Sequence, residues 1–385
     1  MIKYILIDDE VDKGDGFIRL FTNPLKELET HFLPPQEWKA QRKYIENLLQ
    51  KKNFKAKSKS DIAKIRSEIG LSENQRIDGI ILDFRLDTKS EVDYKGNSIA
   101  QEIRNLSTEK IIVDCPLILL ADMKDLNKFH NLDNLFDIKF AKHEVDRKTA
   151  ADAQNKIIDL AKGYHLLNKD KKIKSVLGIE KTDWIDERII EKFDVHKRKK
   201  SASHEYARFV LKEIIEKNGV LIDEYLLAAR LGVDIVTPKA DRKSWDKLKE
   251  HLSDCSYKGV FSNAWQRWWM SKISDWMRER SLGSKSPKEQ VAQLNKEFGL
   301  KLKAAEKTEK SRSNEFWVIC KSTKRPIALE DAVIAAKDVS SVAWEEDEHY
   351  SIDEALTVDV KEIHPMERER LKKIKKLNTL KRPKK

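Results

Sequence analysis

Short apolar runs, each ended by a charged residue, punctuate the first part of the chain. Residues 2–7 (Ile-Lys-Tyr-Ile-Leu-Ile) stop at Asp8-Asp9-Glu10, and Asp78-Gly79-Ile80-Ile81-Leu82-Asp83 repeats the form. A third run covers 111–113 and, after Pro116, Leu117-Ile118-Leu119-Leu120. A weaker fourth runs from Phe136 to Ala141 and ends at Lys142. Continuous apolar runs of this length read as strands buried on both faces of a parallel sheet. Between them, Ser98–Asn105 places Ile99, Ala100 and Ile103 at helical spacing, and 149–168 is rich in Ala, Ile and Leu. Strands alternating with helices predict a doubly wound α/β sheet. Residues of about 35–75 separate the first two runs. They begin at Pro34-Pro35, are rich in Lys, Gln and Asn, and read as one or two solvated helices inserted into the domain.

Beyond 165 the period changes. Residues 166–202 read as a charged linker or helix, with Lys169–Lys174 as its most charged part. Residues 203–230 predict two helices split by Asn218-Gly219. Further helices are expected at Ser244–Leu252, Ser262–Glu279 and Leu329–Ala336, and a short strand at Phe316–Cys320. Trp265, Trp268, Trp269, Ile273, Trp276 and Met277 recur at three- and four-residue steps. On one helix they make an apolar stripe, read as the core of this domain with Trp245, Trp317 and Trp344 packed on it. An exposed aromatic stripe for stacking bases or anchoring a partner is the alternative. The organisation is then an α/β domain at 1–165, a linker at 166–202, a mainly helical domain at 203–360 and a basic tail at 361–385.

Charge sharpens this division. Residues 1–165 hold 28 basic and 28 acidic side chains, so the whole net charge of +11 belongs to the rest. Ten basic against two acidic residues lie in the last twenty, so most of the excess is the tail's. The tail is expected to be mobile when free. Leu371, Ile374 and Leu377 would let it turn helical on a partner, and Lys372, Lys373, Lys375 and Lys376 are its candidate nucleic-acid contacts. Cys115, Cys255 and Cys320 are too far apart for a disulfide framework or a zinc site. No apolar stretch reaches a membrane span and the start has no signal-peptide pattern, which leads to the expectation of a cytoplasmic protein with no membrane partner.

The candidate chemistry lies at the strand ends. Sites in open parallel sheets form at the carboxyl ends of the strands. Here Asp8 and Asp9 end the first run, Asp83 the second and Lys142 the last. Three converging carboxylates repel one another and call for a cation among them. An all-oxygen ligand set suits Mg²⁺.

Taken together, Ile5-Leu6-Ile7-Asp8-Asp9-Glu10, Gly79-Ile80-Ile81-Leu82-Asp83-Phe84-Arg85-Leu86, Pro116-Leu117-Ile118-Leu119-Leu120 and Phe140-Ala141-Lys142 resemble the receiver domain of response regulators. Gly96 and the helix ending Ile103-Arg104 resemble the segment after the phospho-acceptor strand. The resemblance covers about residues 1–165. It implies a five-stranded receiver sheet, Asp83 as phosphate acceptor, and Mg²⁺ held by Asp8, Asp9, Asp83 and the backbone carbonyl of Arg85. Lys142 would contact the phosphoryl oxygens. A histidine kinase or other phosphodonor would be the partner. Several positions depart from the family. Ala121 replaces the Ser/Thr of the switch, and His143 replaces the proline after the lysine. Leu86-Asp87-Thr88 replaces a proline turn, and Asp9 and Asp83 are unusually far apart. Arg85 and Asp87 read as surface charges in their side chains, and His143 as structural or solvated.

The C-terminal half shows no Gly-rich phosphate loop, paired metal spacing or GxSxG, and His349, His364, His196 and His204 stand apart from evident partners. Leu227–Val233 looks like the turn of a helix-turn-helix, but Asp234-Ile235-Val236-Thr237-Pro238 follows in place of a recognition helix. No separate catalytic motif accompanies the receiver, although a degenerate acidic nuclease site stays open. The expected function is a response regulator that accepts a phosphoryl group and contacts a protein target through its helical domain. A DNA-binding regulator and a scaffold with a phosphorylation-independent receiver are the alternatives. Oligomeric state is left open.

Overall fold

In the computed structural model, β1 (Ile2–Ile7) is buried along its whole length. The structure describes residues 1–35, 76–86, 92, 94–128, 134–308, 310–337 and 341–380. The expected insertion from 36 to 75, together with Asp87 and Thr88, lies outside them. After β1 come helix α1 (Val11–Phe21), β2 (Leu28–Leu33), β3 (Gly79–Asp83), α2 (Gly96–Thr108) and β4 (Leu117–Ala121). A short α3 (Met123–Lys128), β5 (Ile138–Ala141) and a long α4 (Ala150–Lys169) follow.

All strand pairs are parallel and the order is β2-β1-β3-β4-β5. This is a receiver-like doubly wound sheet, as expected. β1, β3 and β4 are the central strands and are buried at every position. Ile5, Ile7, Ile80 and Leu82 pack on one face under Ile99, Ala100 and Ile103 of α2. The other face is covered by α1 and α4, where Phe21 meets Phe140 and the Tyr4 hydroxyl donates to the Ile157 carbonyl at 2.8 Å. The chain leaves β1 towards β2 and returns on the other side to β3, so the switch point opens between β1 and β3.

Residues 111–113 are not a strand. Ile112 and Val113 are buried in a loop, and β4 starts only after Pro116. Edge strand β2 had no apolar run to announce it, because alternate positions are only half-buried.

The chain divides into two compact units, 1–213 with 258–265, and 214–257 with 266–385. In the first, the segment read as a charged linker or helix is helical. It forms α5 (Ile173–Leu177) and α6 (Glu187–Lys199), followed by α7 (Ser203–Arg208) and a wider π-type turn over Phe209–Ile215. A buried polar cluster ties this segment to the sheet. Arg104 of α2 pairs with Asp114 at 3.1 Å and Asp137 at 2.9 Å. Asp137 also accepts from the Tyr164 hydroxyl, and Asp114 accepts from His204, through its backbone N–H at 2.6 Å and its ring at 2.7 Å. His204, which looked isolated in the sequence, is thus bound. Burial raises the Asp114 pKa, but His204 and Arg104 outweigh it and hold the carboxyl below its ordinary range. Residues 258–265 complete the unit. Phe261 lies on Gly163 of α4, where a Cβ would meet the ring at 2.2 Å, and Asp159 accepts from Asn263 Nδ2 and the Ala264 N–H.

The second unit is mainly helical, with short strand pairs. Its elements are β6 (Leu221–Ile222), α8 (Glu224–Arg230), α9 (Arg242–His251), β7 (Trp268–Trp269), α10 (Met270–Glu279) and α11 (Pro287–Phe298). Then come β8 (Phe316–Ile319), β9 (Pro326–Ala328), β10 (Ala332–Ile334), β11 (His349–Ser351), α12 (Ile352–Ala355) and α13 (Pro365–Leu380).

The tryptophan stripe is not one helix. Trp265 lies in the first unit, Trp268 and Trp269 are extended and pair with β6, and α10 starts at Met270. Trp245, Trp268, Trp276, Ile273 and Met277 do share one core. Trp317 does not join it: the residue is 43% exposed and the Arg230 guanidinium lies over its ring. The helix expected at 329–336 is a single 3₁₀ turn followed by β10. The β-branched Val333 and Ile334 favour pairing with Tyr350 and His349 there. The basic tail is helical through 380. Leu371 is buried with Val318 and Ile363, and Arg370 donates to the Ala332 and Glu330 carbonyls.

Candidate functional site

Strand register brings the acidic residues together. Ile7 of β1 is level with Leu82 of β3, so the next residues, Asp8 and Asp83, stand side by side at the switch point. Asp9 follows at the rim. Ligand oxygens of Asp8, Asp9 and Asp83 lie within 4.8 Å of one another. On the other side of β3, Asp83 is level with Leu120 of β4, and Ala121 is level with Ala141 of β5. Lys142 follows Ala141, and its N–H donates to the Ala121 carbonyl at 2.9 Å. From there its Nζ reaches Asp83 Oδ2 at 2.9 Å and Asp8 Oδ2 at 3.3 Å.

The cluster is short of positive charge. Asp8 and Asp83 are buried, and Lys142 is nearly so. Burial, then the neighbouring Asp8 charge, pushes the Asp83 pKa up to about 7 despite Lys142. The Asp8 pKa is also raised by burial, although Lys142 and the Glu10 N–H, which donates at 2.8 Å, oppose the shift. Burial disfavours the Lys142 cation, but Asp83 and Asp8 prevail and raise its pKa. Three carboxylates and one ammonium leave a formal charge of −2. The donors are hard oxygens, two of them buried, a set that fits a small divalent cation such as Mg²⁺.

Gly96 sets the wall of the site. A Cβ there would meet the Asp83 carbonyl oxygen at 2.1 Å, so the first turn of α2 closes on the end of β3 only because the residue is glycine. Its N–H donates to the Phe84 carbonyl at 3.1 Å.

The Arg85 side chain forms a bidentate pair with Asp125 of α3, both contacts at 2.7 Å. Asp125 is buried and was not singled out in the sequence. It fixes the loop that carries the Arg85 carbonyl. Ala121 is buried beside β5 and offers no hydroxyl. His143 is exposed, next to Glu144. Lys372, Lys373, Lys375 and Lys376 lie on α13 in the second unit, all exposed, with Lys372 paired to Glu369. After α8 the chain runs through turns and bends, with the Asp234 carboxylate accepting from the Val236 and Thr237 N–H groups. The next helix starts at Arg242.

No protein-family model matches the chain, and no curated protein matches it in sequence. Among solved structures the chain is similar to the phosphorylated cyanobacterial phytochrome response regulator RcpA, at 14% identity. That match covers 41% of this chain and 94% of that one with a TM-score of 0.26. It is similar to the signal receiver domain of a DNA binding response regulator protein (merR) from Colwellia psychrerythraea 34H at 12% identity, covering 41% and 99% with a TM-score of 0.24. It is also similar to the receiver domain of the histidine kinase CKI1 from Arabidopsis thaliana at 16% identity, covering 39% and 90% with a TM-score of 0.23. The receiver-like fold of the first unit stands on its own strand order and helix placement. No helix among the described residues is long and apolar enough to cross a membrane.

Proposed function

We propose that the first unit is a phosphoryl-accepting receiver and that the chain is a cytoplasmic response regulator whose second unit contacts a protein target. The observation that carries this reading is the Asp8–Asp9–Asp83 cluster at the switch point with Lys142 bridging two of its members. Asp8, Asp9, Asp83 and the Arg85 carbonyl would hold Mg²⁺. When bound, the cation neutralises carboxylate and phosphoryl charge. An Asp83 carboxylate oxygen attacks the phosphorus of a phosphohistidine kinase or small phosphodonor. The new O–P bond forms as the donor's bond to phosphorus breaks, and that electron pair leaves with the donor. Lys142, already 2.9 Å from Asp83, then places its ammonium against a phosphoryl oxygen.

Ala121 favours a second reading, a receiver that docks its partner without switching. With no hydroxyl at the end of β4, no side chain there can bond the phosphoryl group and distinguish the two states. Incubation with acetyl phosphate and Mg²⁺, followed by intact-mass measurement, tests the first reading. A hydroxylamine-labile phosphoryl adduct on the wild type that is lost in Asp83→Asn is expected. Equal adducts on both proteins, or none on the wild type with any donor, would reject it.

A further inference from the structure

Opposite the acidic site, at the end of the sheet where β4 and β5 begin, lies a surface of the other sign. Lys169 ends α4, and Lys172 and Lys174 lead into α5. Residues 197–200 (Lys-Arg-Lys-Lys) end α6, with Lys200 in the left-handed conformation that stops the helix. All these side chains are exposed. Lys171 joins the two runs. Its Nζ donates to the Ser201 carbonyl at 2.9 Å and lies over the Tyr206 ring.

The junction is built, not loose. Ser203 Oγ donates to Asn168 Oδ1 at 2.8 Å, Asn168 donates to the Asp114 carbonyl, and His204 binds the Asp114 carboxylate. The backbone carrying the cations is thereby pinned to the buried Arg104 cluster. Two carboxylates lie among these cations, so the surface keeps a net positive charge of about five. Asp170 accepts from Ser175 Oγ at 2.6 Å and the Lys172 N–H, and Glu205 accepts from the Ala202 N–H. One or two cations suffice to complement the C-terminus of a helix. Seven exposed cations on two adjoining runs exceed that need.

We infer that this surface binds the phosphate backbone of nucleic acid. Protein–protein interfaces are depleted in lysine and centre on aromatic or arginine anchors. None of the exposed large apolar side chains of the described residues lies between 166 and 206, so the segment that carries the cations has no apolar anchor of its own for a lipid surface. Lysine-rich, apolar-free surfaces are the kind that engage phosphates without reading bases. The patch lies wholly within the first unit and does not depend on the tail lysines.

The test is fluorescence anisotropy of the full chain with a labelled mixed-sequence DNA duplex across about 50–200 mM NaCl. Each phosphate contact contributes about −0.9 to the slope of log K against log salt. Replacing Lys197, Arg198 and Lys199 by Gln and Lys200 by Asn should flatten the slope by up to about 3.6 units. A second variant, with Gln at Lys169, Lys172 and Lys174, should flatten it by up to about 2.7. Circular dichroism checks that both variants fold. The second set leaves the α6 terminus intact, so a folding defect in the first does not decide the outcome. Wild-type slopes in both sets, with loss only when Lys372, Lys373, Lys375 and Lys376 become Gln, would overturn the assignment. So would binding to phosphatidylserine vesicles with none to DNA.

Discussion

Replacing Asp83 by Asn should stabilise the cation-free protein at alkaline pH. In the folded state the Asp83 pKa stands at about 7, against 3.8 for an ordinary aspartate. An acid whose pKa is raised on folding binds its proton more tightly in the native state than in the unfolded one. Its contribution is therefore neutral below about pH 4, turns unfavourable as pH rises through the window up to 7, and is fully unfavourable above it. Three pH units at about 1.4 kcal/mol each give a penalty of about 4 kcal/mol at pH 8. Asn keeps the shape and removes the charge, and Lys142 retains Asp8 at 3.3 Å. The pKa of about 7 already includes the Lys142 attraction, so the ion pair is not subtracted again. The net expectation is about 4 kcal/mol of added stability at pH 8 in EDTA and about 1 kcal/mol near pH 4.5. Urea unfolding of both proteins at several pH values measures this directly. Adding Mg²⁺ should reverse the order at pH 8, because only the wild type keeps the full carboxylate set. If Asp83→Asn is equally destabilising at pH 4.5 and pH 8 in EDTA, the site is not charge-strained, and the argument for a divalent cation fails with it.

The other expectations are simpler to state. Ala121→Ser should tighten beryllofluoride binding about tenfold or more, the worth of one hydrogen bond to a charged acceptor, read by titration calorimetry. Unchanged affinity would show that the β4 end does not face the phosphoryl site. Gly96→Ala should weaken Mg²⁺ binding and lower stability by about 1–3 kcal/mol, since the new methyl meets the Asp83 carbonyl. Mg²⁺-dependent melting curves test both effects. Arg104→Met should cost about 3–5 kcal/mol in urea unfolding, because Asp114 and Asp137 stay buried without their cation. A loss below about 1 kcal/mol would mean that His204 and Tyr164 satisfy those carboxylates alone.

The central sheet was legible because β1, β3 and β4 are buried on both faces, and such strands are almost entirely apolar, Lys3 being buried only as the partner of Glu29. The acidic site was legible for a related reason: its residues stand where those runs stop. Edge strand β2 was hidden because Glu29 and His31 need no burial at the border of a sheet. The Arg104 cluster was hidden too. Its members are scattered between Arg104 and His204, and each looks like a surface charge until the fold collects them. The Trp268–Trp269 pair misled because it stands three and four residues after Trp265, which suits a helix, while two adjacent buried tryptophans equally suit the two faces of a short strand. The 329–336 segment misled through its alanines, which set Val333 and Ile334 in a helix-forming frame while pairing with β11 drew them into a strand.

The return of residues 258–265 to the first unit limits how such a protein could arise or be rearranged. A domain whose chain ends before the next domain begins can be transplanted with one joint to repair. Here a transplant of residues 1–213 alone would leave Asp159 without Asn263 and Ala264, and a bare notch at Gly163 where Phe261 belongs. A foreign domain joined to the second unit would have to supply its own seat for that ring. The two units are therefore expected to have diverged as one inherited piece, with changes near Gly163 and Phe261 occurring together or not at all.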